Sequence, residues 1–545
     1  MRQIVIYDTT LRDGTQGEDI NFTADDKIRI ARKLDDFGVH YIEGGWPGSN
    51  PRDIRFFELA REIDFKHARL TAFGATRKSG LSADEDVNIL RLIESQAPAV
   101  AIVGKTWDLH VTELMNNSLE DNLEMIRDTV SFLKSHGREV FFDAEHFFDG
   151  YSHNREYAIQ AVLTAAEAGA DAVVLCDTNG GSLGPDIEAA TADMHNRLAA
   201  AFPDKNGGTA VKVGIHTHND CGLAIANTLA GVRAGADIVQ GTINGYGERC
   251  GNADLIAIIP ILCLKMGYAC VTPENLQKLK GLSRFVSETA NITPVKSRPF
   301  VGRSAFCHKG GIHVSAITKN PRAYEHIDPE LVGSSRRVVV SDLSGKSNIA
   351  YKAKELGLDT NPENFDSARI VSEIKRLEQE GYQFEAADGS FKILMEKMAG
   401  QFKPMFELKS FRVIIEKNKD RPCSAQAIIN IGVNGREAIT AAQGLGPVSA
   451  LDNAMRKAIA EFYPDSLGLE AMHLVDFKVR VLDGREGTSA KVRVLIDSRD
   501  EEEIWGTIGV SEDIIEASWQ ALADSCHYKL TKELTSKKTR LTDTE

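Results

Sequence analysis

From residue 1 to about residue 270 one pattern recurs: a short apolar or β-branched run, a polar or glycine-rich turn, then a stretch with apolar residues at helical spacing. The runs lie at 4–7, 40–42, 69–73, 99–103, 139–142, 172–176, 212–217 and 237–241, and amphipathic segments such as 25–37, 119–135, 154–168 and 222–234 separate them. Eight strands alternating with helices predict a (β/α)8 TIM barrel in an α/β chain rather than an open doubly wound sheet. No Gly-x-Gly-x-x-Gly follows the first run to argue for a dinucleotide fold. In such a barrel the chemistry belongs at the C-terminal ends of the strands.

Beyond this region the pattern changes twice. From 273 to 404 polar, helical segments dominate (275–289, 367–379, 389–398), so a helical extension of linker subdomains follows a barrel domain of 1–272. From 405 to 534 the chain repeats itself. Strand-like runs at 411–416 and 424–431 lead to Gly444-Leu445-Gly446-Pro447 and a helix with Ser449 as its N-cap. Runs at 474–482 and 488–496 lead to Gly506-Thr507-Ile508-Gly509 and a helix capped by Ser511. This predicts a C-terminal α+β domain of two pseudo-repeats, and the polar tail 535–545 is expected to fray.

Composition narrows the function. The 545 residues are 42% apolar and 26% charged, a globular balance with ample material for a large core. With 64 Lys+Arg against 78 Asp+Glu the net charge is −14, which argues against a nucleic-acid partner. No signal-like leader opens the sequence and no apolar stretch reaches membrane-spanning length, so no membrane association is expected. The eight cysteines are scattered without a Cys-x-x-Cys pair, as reduced thiols of a cytoplasmic protein would be.

Candidate chemistry sits at the strand ends. In His216-Thr217-His218-Asn219-Asp220 the two histidines face one side of a strand about 6.5–7 Å apart, a spacing from which two imidazoles converge on one cation. His-x-His also occurs among surface and core histidines, so placement carries the weight. In Asp8-Thr9-Thr10-Leu11-Arg12-Asp13-Gly14 a carboxylate can complete a mixed N/O metal site and Arg12 can neutralise an oxyanion beside it; an Arg–Asp pair pinning a loop is the plainer alternative. Glu43 is placed to brace Arg12, or is an ordinary strand-end carboxylate. Asn252, in Gly247-Glu248-Arg249-Cys250-Gly251-Asn252, offers a neutral oxygen as a further hard ligand, and Glu145, Asp177 and Thr178 end the fifth and sixth strands.

Taken together, 9–16, Glu43, His216-x-His218-Asn219-Asp220 and 247–252 resemble the DRE-TIM metallolyase family. The resemblance continues through Gly310-Gly311-Ile312-His313, Ile327-Asp328-Pro329 and Leu343-Ser344-Gly345-Lys346-Ser347-Asn348 into the repeat. It looks like the 2-isopropylmalate and citramalate synthase branch, and 41–52 and 381–391 look like its citramalate-forming subgroup. That resemblance implies a Claisen-type condensation of acetyl-CoA with a 2-oxo acid, pyruvate in that subgroup, followed by thioester hydrolysis on the route to isoleucine. It implies a divalent cation (Mn2+, Mg2+ or Zn2+) on Asp13, His216, His218 and Asn252, with Arg12 stabilising the alkoxide and Glu43 orienting Arg12. Thr178 resembles the residue that binds the keto-acid carboxylate, and Glu145 matches a carboxylate near the reacting groups. His313 and Tyr324 match positions that reach the partner subunit's barrel in a homodimer; Val314-Ser315 departs from the polar-acidic pair common after that histidine. The repeat resembles a regulatory domain whose effector would be isoleucine, or leucine for a 2-isopropylmalate synthase. A catalytically silent amino-acid sensor on the same scaffold is the rival of another class, and it would be expected to have lost Arg12 or a metal ligand.

Overall fold

The computed structural model describes residues 2–205, 208–341, 344–358, 365–417, 419, 422–463, 468–482 and 490–542, the last eight of these as backbone. Leu343 of the 343–348 motif and Thr488 and Ser489 of the second repeat lie outside the described residues. Two compact units result: Met1–Phe306 with Ile327–Arg336, and Cys307–His326 with Arg337–Glu545.

The first unit is a closed barrel of eight parallel strands: β1 (Val5–Asp8), β2 (Tyr41–Gly45), β3 (Arg69–Ala75), β4 (Ala99–Lys105), β5 (Glu139–Glu145), β6 (Ala172–Asp177), β7 (Lys212–Thr217) and β8 (Ile238–Gly241). Each overlaps a predicted run, and β1 closes the ring on β8 with Asp8 opposite Gly241. Both faces of these strands are covered, which is why they read as apolar runs rather than as alternation. Tyr7, Tyr41, Phe73, Phe141, Val174 and Ile238 fill the interior, while the outer faces pack on the helices. The helix Ala24–Phe37 shows how local sequence sets such an element. Thr23 caps it in a reciprocal box with Asp26, and Gly38 ends it at φ 89°.

This unit runs past residue 272. Pro273–Leu276 and Leu279–Thr289, read from sequence as one helix, are two, and Leu276, Leu279, Leu282 and Val286 belong to the barrel's own core.

In the second unit β9 (Cys307–His308) pairs in parallel with β10 (Arg337–Val338), and helices including Lys346–Glu355, Ser367–Gln379 and Asp388–Met398 share a core of Ile349, Ile370, Ile374, Phe391 and Met395. The repeat follows as two antiparallel sheets, β11 (Glu407–Glu416), β12 (Ser424–Val433) and β13 (Arg436–Gly444), then β14 (His473–Val481), β15 (Val492–Arg499) and β16 (Ile504–Ser511). Each sheet is followed by a helix, Pro447–Ala460 and Ile514–Thr542.

Three sequence expectations are corrected here. Neither serine caps its helix: the first begins at Pro447 behind Gly446, and the second is capped by Asp513, which accepts from the Ile515 and Glu516 N–H groups at 2.7 and 3.2 Å. Gly506 and Gly509 lie within β16, where an added Cβ would fall 1.9 Å from the Ala386 and Ala517 carbonyl oxygens; close backbone packing, not a loop, explains them. The backbone of the final helix continues to Thr542, so the tail is helical over most of its length.

Candidate active site

The C-terminal ends of β1, β2, β5, β6, β7 and β8 converge on a cavity of about 620 Å³ lined by Arg12, Asp13, Glu145, Thr178, His216 and His218 among others. The loop after β1 turns tightly, with the N–H groups of Arg12, Asp13 and Gly14 all donating to the Thr9 carbonyl, and so brings Asp13 under β7. His216 Nε2 lies 3.2 Å from Asp13 Oδ2 and 3.2 Å from His218 Nε2. The ligating atoms of these three buried residues all lie within 4.8 Å of one another. Asn252 joins them through backbone, since His218 and Asn252 form an isolated antiparallel bridge. Its Nδ2 donates to the Tyr246 carbonyl at 3.2 Å while its Oδ1 is buried with no partner.

That oxygen is a buried acceptor left unmet, which a cation could satisfy. Two imidazole nitrogens facing each other and a carboxylate make a mixed N/O set suited to a divalent metal. Electrostatics agree. Burial alone would raise the Asp13 carboxyl, but the Arg12 guanidinium and His216 outweigh it and hold it well below the usual carboxylate range. Burial and the neighbouring His216 depress His218 to about 3, which favours its neutral form, while at His216 burial is outweighed by the hydrogen bond to Asp13, which raises it.

Arg12 is held from two sides. Its Nε donates to Glu43 Oε1 at 2.5 Å, and its Cζ sits 3.9 Å above the Phe73 ring. Glu43 is fully buried, and its other oxygen accepts from the Tyr7 hydroxyl at 2.7 Å, so both its oxygens are engaged. Glu145 pairs with Lys105. The Thr178 hydroxyl accepts from the His146 N–H at 2.9 Å, and its carbonyl accepts from Arg249 at 2.8 Å. Of the predicted residues, Arg12, Asp13, Glu43, Glu145, Thr178, His216, His218 and Asn252 are therefore all in the barrel unit. His313 and Tyr324 are in the second unit, where their rings stack 4.1 Å apart and both are exposed.

Several participants were not read from sequence. Gln240 Oε1 meets His216 Nδ1 at 2.7 Å, and Gln240 Nε2 donates to Asp143 Oδ1 at 3.1 Å. Burial, with Glu43 adding to it, pushes the Asp143 carboxyl up to about 7. A lone Gln in the apolar run Ile238-Val239-Gln240 and an Asp two residues before Glu145, hence on its face of β5, were the available signals. Trp46 lines the cavity in edge contact with Phe73 at 5.4 Å. Its loop is fixed by a buried latch. Lys27 Nζ donates to Asp53 Oδ1 at 2.5 Å and to the Gly44 carbonyl at 3.0 Å, and Asp53 Oδ2 accepts from the Trp46 N–H at 2.9 Å. Gly45 sits at φ 146° with Asp53 directly against it, and a Cβ there would fall 2.4 Å from that carboxyl.

Comparison with known proteins covers the whole architecture. Residues 3–286 match the HMGL-like family, 300–382 the homocitrate synthase post-HMGL domain-like family, and 385–530 the LeuA allosteric (dimerisation) domain. The (R)-citramalate synthase of Aquifex aeolicus is 51% identical over 532 residues, covering 97% of this chain and 98% of its own. That of Geobacter sulfurreducens is 50% identical over 533 residues, with 98% of each chain covered. A protein of Methanopyrus kandleri named "Probable 2-isopropylmalate synthase" is 32% identical over 534 residues, covering 95% of this chain and 97% of its own.

Proposed function

The chain belongs to the (R)-citramalate synthase group of the HMGL-like family, and from that premise we propose how its barrel mouth carries the reaction. The activity is an acyl transfer in which acetyl-CoA condenses with pyruvate and the thioester is hydrolysed, giving citramalate and CoA for isoleucine biosynthesis. The observation that carries the site assignment is the convergence of Asp13, His216 and His218 beside the Glu43-braced Arg12, at the strand ends of one cavity.

In this reading Asp13, His216, His218 and Asn252 hold a divalent cation, Mn2+, Mg2+ or Zn2+, which when bound supplies Lewis-acid polarisation of the acceptor ketone. Thr178 takes the pyruvate carboxylate at the rim. Arg12 faces the oxygen that becomes an alkoxide, and its fixed geometry makes that stabilisation available without reorganisation. Glu43 acts through Arg12: with both oxygens engaged it is a positioning residue rather than a base. Glu145, held by Lys105, orders groups around the acetyl end. The acetyl methyl proton goes to an imidazole nitrogen of His313, delivered from the helical extension of the partner subunit with Tyr324 stacked on it.

The LeuA-type region supports a homodimer under feedback control, with isoleucine as effector. Ile414, Ile428 and Ile439 share the outward face of the β11–β13 sheet, an apolar patch suited to a second copy. Leu445, 98% exposed in the loop before the helix Pro447–Ala460, marks the accessible glycine loop of the first repeat for the effector carboxylate. No helix among the described residues is long and apolar enough to cross a membrane, and the eight cysteines are free thiols, which supports the cytoplasm as its compartment.

The test is release of free CoA from acetyl-CoA with a panel of 2-oxo acids, with and without chelator. Turnover should be strongest with pyruvate and should vanish on chelation. Strongest turnover on 2-oxoisovalerate would overturn the acceptor assignment, and turnover indifferent to chelator would overturn the metal site.

A further inference from the structure

Behind His216 runs a buried chain, Asp143···Gln240···His216, whose first two members have no part in the mechanism above. All three residues are buried, at 4%, 0% and 5% exposure, and they come from three strands, β5, β8 and β7. Their atoms have a forced polarity. The Gln240 amide NH2 donates to Asp143 Oδ1 at 3.1 Å. The amide oxygen is then turned the other way, 2.7 Å from His216 Nδ1. An amide oxygen cannot donate, so Nδ1 must carry the hydrogen. With Nδ1 occupied as a donor to Gln240, Nε2, which faces Asp13 and His218, is the nitrogen left to a cation.

We propose that Asp143 and Gln240 are positioning residues that fix the tautomer and ring orientation of His216, so that Nε2 is committed to the metal before the metal arrives. A neutral imidazole otherwise distributes its hydrogen between two nitrogens, and half of the ligating geometry depends on which one is bare. The device is one-sided. The other histidine of the pair, His218, leaves its Nδ1 buried without any partner, so among the described residues nothing equivalent orients it. The inference rests on the metal-site assignment made above.

The polarity of the chain permits a swap. Gln240→Met removes both hydrogen bonds at nearly constant volume, whereas Asp143→Asn together with Gln240→Glu reverses the Asp143–Gln240 bond and keeps an acceptor at Nδ1. The measurement is Mn2+ binding to the chelator-stripped full-length protein by calorimetry, with Co2+ absorption to report the ligand set and the melting temperature of the metal-free protein as a control for folding. Gln240→Met should weaken Mn2+ binding by about 10- to 100-fold and alter the Co2+ spectrum, while leaving the metal-free melting temperature close to wild type. The double replacement should recover most of the lost affinity. Unchanged Mn2+ affinity in Gln240→Met, or a loss that the double replacement does not recover, would overturn the relay while leaving the metal site standing. Should Gln240→Met not fold, the double replacement set against Asp143→Asn alone decides the matter by the same recovery. Wild-type protein that binds no Mn2+ would overturn the metal site and the relay together.

Discussion

The two compact units of this chain both bury polar groups but place them differently, around a cavity in the first and within closed packing in the second. At the barrel mouth charged and polar side chains are drawn out of water and engaged in chains: Tyr7–Glu43–Arg12, Asp143–Gln240–His216 and Lys27–Asp53–Trp46. The repeat region also buries polar groups, the Lys529–Asp500 pair and the Trp505–Ser525–Ser498 chain, but it sets them beside an apolar core of Ile429, Ile431, Leu451, Met455, Val494, Ile496 and Leu522 and leaves isoleucines on an outer sheet face. The first unit is organised inward, where a low dielectric strengthens each fixed dipole; the second is organised outward, where apolar area is left for association. Damage to one should therefore be read in chemistry, and damage to the other in assembly or stability.

The largest expected effect breaks that separation if it fails. Arg12→Ala should lower kcat by at least about 10²- to 10³-fold with little change in oligomeric state, checked by steady-state CoA release and sedimentation. Loss of the dimer in this variant would show that the units are not independent in this sense. Next in size, Ile428→Asp with Ile439→Asp should shift the protein from dimer to monomer by light scattering while Mn2+ binding at the barrel mouth persists. Smaller and confined to the second unit, Gly509→Ala should cost about 1–3 kcal/mol in denaturant unfolding through overpacking against Ala517, whereas Gly446→Ala, with nothing within 4 Å, should stay within about 0.5 kcal/mol.

The smallest effect is one of pH. Burial pushes the Asp8 carboxyl up to about 7 although it accepts from the Thr10 N–H and hydroxyl. Between about pH 4 and 7 the folded chain keeps a proton that the unfolded chain releases, so stability contributed at this site falls as pH rises through that window. Asp8→Asn should remove that part of the fall, seen as a flatter plot of melting temperature against pH.

Much of the barrel was legible because period, length and turn chemistry all agree in each βα unit: strand and helix boundaries at 212–217 and 119–135 coincide with those observed. Residues at strand ends were legible because alternation assigns them a face. The supporting residues were not. Gln240, Asp143 and Tyr7 lie within runs whose apolar neighbours dominate the pattern, and only the closure of the ring brings β5, β7 and β8 together. Lys27 reads as one more polar residue on an amphipathic helix, yet it is fully buried on Asp53. The repeat was visible, but its glycines misled: Gly-x-x-Gly before a helical stretch fits a loop equally well as a strand pressed on a neighbouring backbone, and only packing tells them apart.

The seam where β1 meets β8 has a consequence for how the molecule is made. Thr9 N–H donates to the Gly241 carbonyl at 2.9 Å and Ile243 N–H to the Thr10 hydroxyl at 2.8 Å, so the chain's first loop is sewn to its eighth strand. Asp13 meets His216 beside this seam, and Asn252 follows it. On the ribosome the first of these residues emerges long before the others, and five strands, β2 to β6, are made between it and the strand that carries His216. The cluster of Asp13, His216 and His218 is thus assembled from residues far apart in sequence, and its geometry is a product of the closed ring rather than of any local segment.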